Sequence, residues 1–385
     1  MRAKEFLREA SAAQIGRKYQ HIEDLVITNG SPGGLHAIER LRKMGEQGAN
    51  IELKWDGMPV VYWGRDENGT FTMVPKNAWE YAKRGKMELD QGIKVKADSA
   101  QDVYNFVANT GKNLESSERR QQFGKQIAEL WPYLEKASPK QGYLEGGILF
   151  WPSDPPKLNQ KTGEWDFKPN VTEFHVAANS PLGKRIAKAK VMVAATGYYP
   201  SFGSSDEGRL ENVESLSTSD AIIQGTTYVQ EPPKLDTKAL DKVESYIKQN
   251  AAKIDAFLSA KPGLKSPGGL IYTFLNKNLR GPGLVNAFNN YAKENLSKGQ
   301  YEKVMSDVSG LTAILNAVEQ ITAIKEQLIQ QLSTRSHGGI RQTRPEGYVQ
   351  APPEGDFKHP LPGQFVKTIS QQNWTPNRNL YNEDI

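Results

Sequence analysis

The chain has 385 residues, 37% of them hydrophobic and 24% charged, which is enough for one large domain or two ordinary ones. The net charge of +5 predicts a mild attraction to polyanions and excludes no class of partner. The absence of cysteine excludes disulfides, cysteine-ligated zinc and thiol catalysis. No apolar run reaches the roughly 18 residues of a membrane span, and the charged start is unlike a signal peptide. We therefore expect a cytoplasmic protein, in the host cytoplasm if it is viral, with no membrane partner.

The first part of the chain predicts helices that give way to strands. Residues 1–48 read as helices around a break at 29–34, with the apolar face of the second helix on Leu35, Ile38, Leu41 and Met44. Residues 51–54 form a short strand. Residues 60–63 and 70–74 are typical of a hairpin across a turn at 66–69.

The middle of the chain alternates between helices and strands. Residues 78–136 are mostly helical, and strands follow at 143–150, 171–177 and 191–195. A short basic helix is predicted over 184–190, and the Gly/Ser-rich stretch 199–215 indicates a loop.

The last third is a long helical block followed by short strands. The block spans 234–335, and its clearest helix carries an apolar stripe from Leu311 to Leu332. Short strands follow at 347–350 and 364–369. Strand-rich segments around a helical block predict an α+β fold: an N-terminal helical segment 1–48, a core starting at 49–233, a helical insertion 234–338, and core completion with a tail at 339–385.

The sharpest chemical signal is the sequence Glu52-Leu53-Lys54-Trp55-Asp56-Gly57, a strand that runs into a turn. A lysine amine attacks phosphorus only when uncharged, a form that burial or neighbouring cations favour. The Asp-Gly turn allows the backbone to approach a phosphate. Glu52 projects from the same strand face as Lys54 and is placed to accept a hydrogen bond from a base. A solvated lysine at the end of a surface strand is the alternative interpretation.

This pattern resembles the first motif of the covalent nucleotidyltransferase superfamily, the ATP-dependent DNA and RNA ligases and the mRNA capping enzymes. Their motif reads Lys-x-Asp-Gly, often with a glutamate two residues earlier. The resemblance implies that Lys54 is the catalytic residue that takes AMP, and that Glu52, Asp56 and Gly57 bind the nucleotide.

Later motifs of the same family follow in the same order. The resemblance assigns a second basic, nucleotide-binding residue to Lys76, with Arg65 as a rival. It implies that Glu145, beside two glycines, binds nucleotide and metal, and that Phe174 stacks on adenine. His175 stands where relatives often have Asp.

The family's last two motifs match residues near the end of the sequence. Glu346-Gly347-Tyr348-Val349 implies a Glu346 ligand for Mg²⁺ or Mn²⁺. Lys367 takes the place of a lysine that reaches the α-phosphate, while Ile369 replaces a second one. The arrangement also looks like uncharacterised tailed-phage proteins with Lys-Trp-Asp-Gly and a late Glu-Gly-x-Val.

The resemblance implies an ATP-grasp-like core of two antiparallel sheets with a helical insertion. Only 18 residues follow Lys367, so we expect no C-terminal oligonucleotide-binding barrel, which favours RNA-ligase-like enzymes. The expected function is an ATP-dependent polynucleotide ligase that forms lysyl-AMP at Lys54. It would transfer AMP to a 5′-phosphate at the end of RNA more readily than DNA.

Two other functions stay open at this stage. A decayed nucleotidyltransferase fold would act as a nucleic-acid-binding or virion-associated phage protein, and the missing second lysine and His175 favour it. Alternatively, AMP would pass to a protein or a small molecule. The motifs are compatible with ATP and with GTP, and they do not fix the oligomeric state.

Overall fold

The computed structural model shows an α+β protein with several sheets and many helices. It describes residues 19–46, 51–110, 117–170, 172–206, 212–259, 266–277, 282–343, 347–350 and 363–367.

The strands of these residues are mostly short. In chain order they are β1 (Tyr19–His21), β2 (Ile51–Leu53), β3 (Val60–Arg65), β4 (Phe71–Pro75), β5 (Glu88–Leu89), β6 (Ile93–Lys94), β7 (Gly142–Phe150), β8 (Lys157–Asn159), β9 (Glu164–Phe167), β10 (Glu173–Ala177), β11 (Val191–Tyr199), β12 (Ala221–Gln224), β13 (Ile340–Thr343), β14 (Gly347–Gln350) and β15 (Gly363–Lys367).

The longest helices lie in the last third of the chain, where the helical block was predicted. In chain order the helices are α1 (Leu25–Met44), α2 (Lys76–Lys83), α3 (Ala100–Thr110), α4 (Ser117–Glu129), α5 (Trp131–Lys136), α6 (Pro181–Ile186), α7 (Thr237–Leu258), α8 (Pro267–Lys277), α9 (Leu284–Asn295), α10 (Lys298–Met305) and α11 (Val308–Ser333). None of the helices in the described stretches combines the length and the apolar character needed to span a membrane.

The chain divides into two compact units. The first, unit 1, holds α1 and α7–α11 together with β1, β2, β14 and β15, and the second, unit 2, holds the remaining elements. The chain first passes from unit 1 to unit 2 between Lys54 and Trp55. This grouping differs from the predicted four segments. The N-terminal helix shares a unit with the helical block, and the late strands β14 and β15 join them, whereas β13 belongs to unit 2.

Unit 1 is built on a helical core that the apolar spacing of its sequence predicted. The stripe on α11, from Leu311 to Leu332, is buried, as are Ile38, Leu41 and Met44 of α1. The predicted break at 29–34 is a kink inside α1, where Gly30 has φ +67°. Asp255 of α7 accepts hydrogen bonds from the Ser31 amide (2.7 Å) and hydroxyl (2.8 Å), which stabilises the kink.

A four-stranded sheet completes unit 1, in the order β1-β15-β14-β2. β1 runs parallel to β15, and the other two pairings are antiparallel. The strands come from both ends of the described sequence, so non-local pairing brings them together. Tyr348 of β14 is 1% exposed and belongs to the helical core, and burial raises the pKa of its hydroxyl.

The larger sheet of unit 2 has five strands in the order β12-β11-β7-β3-β4. Its β3–β4 hairpin confirms the prediction, and Asp66 closes the turn by accepting the amides of Asn68 and Thr70. Helices α2–α5 contribute to the core around this sheet. The indole of Trp63, for example, donates to the Ala137 carbonyl at 3.2 Å.

The smaller sheet of unit 2 has the order β13-β10-β9-β8, and all its pairings are antiparallel. The register gives it one apolar face, which includes Trp165, Phe167 and Phe174, and one polar face, which includes Asp166 and His175. Strands β8 and β9 were not predicted from the sequence.

Candidate functional site

The strand that leads to Lys54 is paired along both of its edges in unit 1. On one side, Leu53 and Glu52 lie opposite Tyr348 and Val349 of β14. On the other, Glu52 bridges to Tyr228, and the Val229 amide donates to the Ile51 carbonyl at 2.8 Å. Lys54 is half-buried. The structure therefore places Lys54 directly after a strand that has partners on both edges, and the alternative of a solvated lysine stays open.

The sheet of unit 1 brings three predicted motifs to adjacent backbone positions. The Lys54 amide donates to the Gly347 carbonyl at 3.4 Å, and Gly347 lies directly opposite Lys367 in the β14–β15 register. Lys54, the glycine of Glu-Gly-x-Val and the late lysine are thus neighbours across three strands, although about 300 residues separate the first from the others in sequence. The metal candidate Glu346 lies outside the described residues.

The Asp-Gly turn after Lys54 is held in unit 2 by hydrogen bonds and close backbone packing. Asp56 is 5% exposed and accepts hydrogen bonds from the Asn170 side-chain amide (3.1 Å) and the Thr172 backbone amide (3.2 Å). Gly57 packs directly against the backbone of Gly147 on β7. The two residues were predicted to bind nucleotide, and in the structure they anchor the turn.

The substitution Gly57→Ala is expected to lower the free energy of unfolding by about 1–3 kcal/mol. Its Cβ would lie 2.4 Å from the Gly147 carbonyl carbon and oxygen, and backbone atoms cannot rotate away. Thermal unfolding followed by circular dichroism measures the loss. Gly299→Ala is the control: nothing lies within 4 Å of its Cβ, so its melting temperature should equal or exceed that of the wild type. Equal melting of Gly57→Ala and wild type would refute the close packing.

Glu145 lies at the centre of β7 and accepts a hydrogen bond from the Tyr199 hydroxyl at 2.8 Å. Tyr62 faces it from β3. Burial, followed by the nearby Glu145 carboxylate, raises the pKa of the Tyr62 hydroxyl. Glu145 is itself half-buried. The predicted ligand for metal and ribose is therefore a carboxylate that already has a tyrosine partner.

The sheet register separates the two rivals for the second basic residue. Lys76 begins α2 directly after Pro75, which lies opposite Val61, and Val61 lies opposite Gly146. That end of the sheet also holds Gly57 against Gly147. Lys76 is exposed there, so its position remains compatible with a role near the Asp-Gly turn.

Arg65 lies at the opposite end of β3, across from Gly142. Its guanidinium donates to the carbonyls of Gly69 (2.9 Å) and Glu135 (3.1 Å) and lies over the ring of Phe71 at 5.5 Å. These contacts stabilise the β3–β4 hairpin, and nucleotide binding by Arg65 stays a prediction.

Phe174 was predicted to stack on adenine, and the structure places it in the core of unit 2. Its exposure is 0%. Its ring lies between those of Trp55, at 4.8 Å and 28°, and Phe167, at 5.4 Å and 18°. Both faces of the ring are covered in this conformation, and stacking on adenine stays a prediction. Trp55, which sequence analysis passed over, is half-buried and is the member of the stack that reaches the surface.

The polar face of the smaller sheet carries a network that the sequence did not reveal. His175 Nδ1 lies 2.7 Å from Asp166 Oδ1, and its Nε2 lies 2.7 Å from the Thr343 hydroxyl. Arg341 donates to Glu164 at 2.8 Å. One ligand atom each of Glu164, Asp166 and His175 falls within a 4.8 Å span, as in a cation site. Arg341 already neutralises Glu164, and His175 already joins Asp166 to Thr343, so the contacts form a closed polar network.

The Arg341 hydrogen bond, the largest influence, holds the pKa of Glu164 below its ordinary value. A lowered folded-state pKa contributes stability above the unfolded pKa, and this stability is lost as the pH falls through the folded pKa. Glu164→Gln should therefore lower the free energy of unfolding at neutral pH by up to about 1 kcal/mol, since the pair is partly exposed. The melting temperature should fall with it. Melting curves from pH 7 to pH 3 should converge with those of the wild type in acid. A constant difference across this range would exclude the ionic contribution.

A groove in unit 1, with a volume of ≈ 450 Å³, lies beside the start of α7. Its lining is mainly polar and includes Lys234, Lys238 and Gln331. None of the residues predicted for the site lines it, so it adds nothing to the site around Lys54.

Comparison with known proteins identifies the family of the chain. A model described as "Family of unknown function (DUF6267)" matches residues 18–367. The chain therefore belongs to this family. No curated protein and no solved structure matches the chain.

Proposed function

We propose that this member of the DUF6267 family is an ATP-dependent nucleotidyltransferase that forms a covalent lysyl-AMP at Lys54. One observation carries the proposal: Lys54, Gly347 and Lys367 occupy adjacent backbone positions in one sheet. Lys54 is about 300 residues away in sequence from the two late motifs, and its position beside them in the sheet supports the interpretation that all three belong to one site. The nucleotidyltransferase fold, with its two antiparallel sheets, is part of the same proposal.

In the proposed first step, the uncharged amine of Lys54 attacks the α-phosphorus of ATP. A phosphorus–nitrogen bond forms, the bond to the bridging oxygen breaks, and pyrophosphate leaves with its electron pair. The amine proton passes to solvent. Lys367 supplies positive charge to the α-phosphate oxygens as they gain negative charge. Glu52, two residues before Lys54, would accept a hydrogen bond from the base.

The resemblance to nucleotidyltransferases assigns metal binding to two carboxylates, a ligand type that suits a hard divalent cation. The chain has no cysteine, and Glu145 and Glu346 offer the oxygen ligands that Mg²⁺ or Mn²⁺ prefers. Such an ion would neutralise phosphate charge during transfer. Glu145 keeps one oxygen on the Tyr199 hydroxyl, so it would bind through the other.

In the second step, an oxygen of a nucleic-acid 5′-phosphate attacks the AMP phosphorus and releases Lys54. A 3′-hydroxyl then displaces AMP and seals the strand. The proposed substrate is RNA in preference to DNA. The test is incubation with ATP, Mg²⁺ and 5′-phosphorylated strands of either polymer, followed by gel analysis of adenylated and sealed products. We expect faster product formation with RNA. A labelled protein that modifies neither polymer would instead indicate transfer to a protein or a small molecule.

A second candidate is a nucleic-acid-binding phage protein on a fold that has lost catalysis. Two observations favour it: both faces of Phe174 are covered, and Glu145 is engaged by a tyrosine. The two candidates differ in one outcome. Tight binding of nucleic acid by a protein that never takes up AMP would favour the second.

A further inference from the structure

One stretch of unit 2 carries positive charge with no acidic residue within it. From residue 174 to residue 205 the sequence contains no aspartate or glutamate. All the lysines and arginines of this stretch fall within seven positions: Lys184, Arg185, Lys188 and Lys190. We call these four side chains the basic segment.

The basic segment is accessible and unpaired. Lys184, Lys188 and Lys190 are exposed, and Arg185 is half-buried. Within the described residues none of the four side chains forms a salt bridge or a hydrogen bond. Some surface lysines of the protein are paired: Lys43 and Lys248, for instance, each form a salt bridge with a glutamate one helical turn away. The basic segment therefore leaves positive charge available to a partner.

The backbone beneath these charges is held at both ends. At the start of α6, the Ser180 hydroxyl accepts the Gly183 amide at 3.0 Å. Beyond α6, the amides of Lys188 and Ala189 donate to the Arg185 carbonyl, so helical hydrogen bonding continues past Ile186. The Lys190 amide then donates to the Asp220 carbonyl at 2.8 Å. The cations sit on fixed backbone, which lowers the entropy lost when a partner binds.

The spacing and surroundings of the charges favour a phosphate polymer over a membrane. Lys184 and Lys188 lie one turn apart, where side chains are about 5–6 Å from each other, so they can contact successive phosphates. Membrane-surface helices add exposed apolar side chains to their basic face. Here Ile186 and Ala189 are buried, and no large apolar side chain is exposed among residues 181–190.

We propose that the basic segment binds the phosphate backbone of the nucleic acid that the protein acts on. The proposed function supplies the class of partner. The charge, the exposure and the fixed backbone locate the contact on unit 2. Since backbone phosphates carry no sequence information, this contact would hold the strand without selecting its sequence.

The test measures binding of a fluorescent, 5′-phosphorylated single-stranded RNA by anisotropy at several salt concentrations. The variant K184Q/R185Q/K188Q/K190Q should bind at least about tenfold more weakly at low salt. The slope of log K against the logarithm of the salt concentration should decrease in magnitude by up to about three, because up to four phosphate contacts are lost.

The matched control removes four positive charges from unit 1. It carries glutamine at four exposed lysines that form no salt bridge with any residue the structure describes: Lys238, Lys242, Lys253 and Lys293. This variant should retain near wild-type affinity and slope. Equal losses in both variants would mean that net charge alone governs binding and would overturn the proposal, as would unchanged binding by the first variant.

Two further readouts keep the conclusions separate. Circular dichroism establishes that both variants are folded, and self-adenylation with labelled ATP is measured on the same preparations. The basic-segment variant should keep self-adenylation. If the wild type does not adenylate itself, the proposed function is wrong. The RNA affinities of the two variants would still show whether the basic segment binds nucleic acid. Binding of the segment to vesicles of anionic phospholipid, without binding to RNA, would overturn it in favour of a membrane.

Discussion

Replacing Lys54 by alanine is expected to reduce covalent labelling of the protein by α-³²P-ATP at least about 10⁴-fold, since no other group can replace a missing nucleophile. The fold should survive the change. The contact that ties this position to β14 is made by the backbone amide, which alanine retains. The measurement is the label that stays on the protein in a denaturing gel after incubation with Mg²⁺ and ATP.

The variant Lys54→Arg tests whether Lys54 acts as a nucleophile or only supplies positive charge. Arginine keeps a positive charge of similar reach but does not lose its proton in proteins. We expect it to lose labelling as completely as alanine does. Lys86→Ala, which removes an exposed and unpaired lysine, should label like the wild type. Labelling of Lys54→Arg near the wild-type level would show that this position supplies only charge.

Phe174→Ala is expected to lower the free energy of unfolding by about 3–5 kcal/mol, the cost of emptying a fully buried aromatic position. The side chain has 0% exposure and lies between two rings, so its removal leaves a cavity bounded by Trp55 and Phe167. Chemical denaturation, followed by fluorescence, measures the loss.

Phe174→Leu tests whether the loss reflects packing or nucleotide binding. Leucine fills much of the space without an aromatic face, so it should cost less stability and leave the dependence of labelling on ATP concentration unchanged. A stacking role predicts the reverse: little loss of stability and a clear rise in the ATP concentration needed for half-maximal labelling. Unchanged stability of Phe174→Ala would place this side chain outside the core.

Local patterns predicted the elements whose contacts are local. The hairpin of β3 and β4 followed from two apolar runs around the turn at Asp66, and α11 followed from its apolar stripe. The break at Gly30 followed from a run of glycine and proline. In each case residues close in sequence determine the structure.

The pairing of remote strands could not be read in the same way. Strands β8 and β9 are only three and four residues long, too short for a clear periodic pattern. Strand β9 does carry one signal that could have predicted it: the acidic residues Glu164 and Asp166 alternate with Trp165 and Phe167. The grouping of β2 with β14 and β15 depends on contacts across about 300 residues, which periodicity does not record.

The candidate site shows the same division. The order of motifs singled out Lys54 and assigned the second basic residue to Lys76, but it did not exclude Arg65 or decide between stacking and core packing for Phe174. The register of β3 separates the first two, because it puts their backbone positions at opposite ends of the strand. The ring of Trp55 covers one face of Phe174. Because Trp55 lies more than a hundred positions away in sequence, local patterns could not predict this contact.

Intact-protein mass spectrometry after incubation with ATP and Mg²⁺, followed by peptide mapping, tests the central claim most directly. The account predicts a mass increase of one AMP, carried by the peptide that contains Lys54 and released by pyrophosphate. A protein that gains no mass, or one whose AMP maps to a different residue, would contradict it.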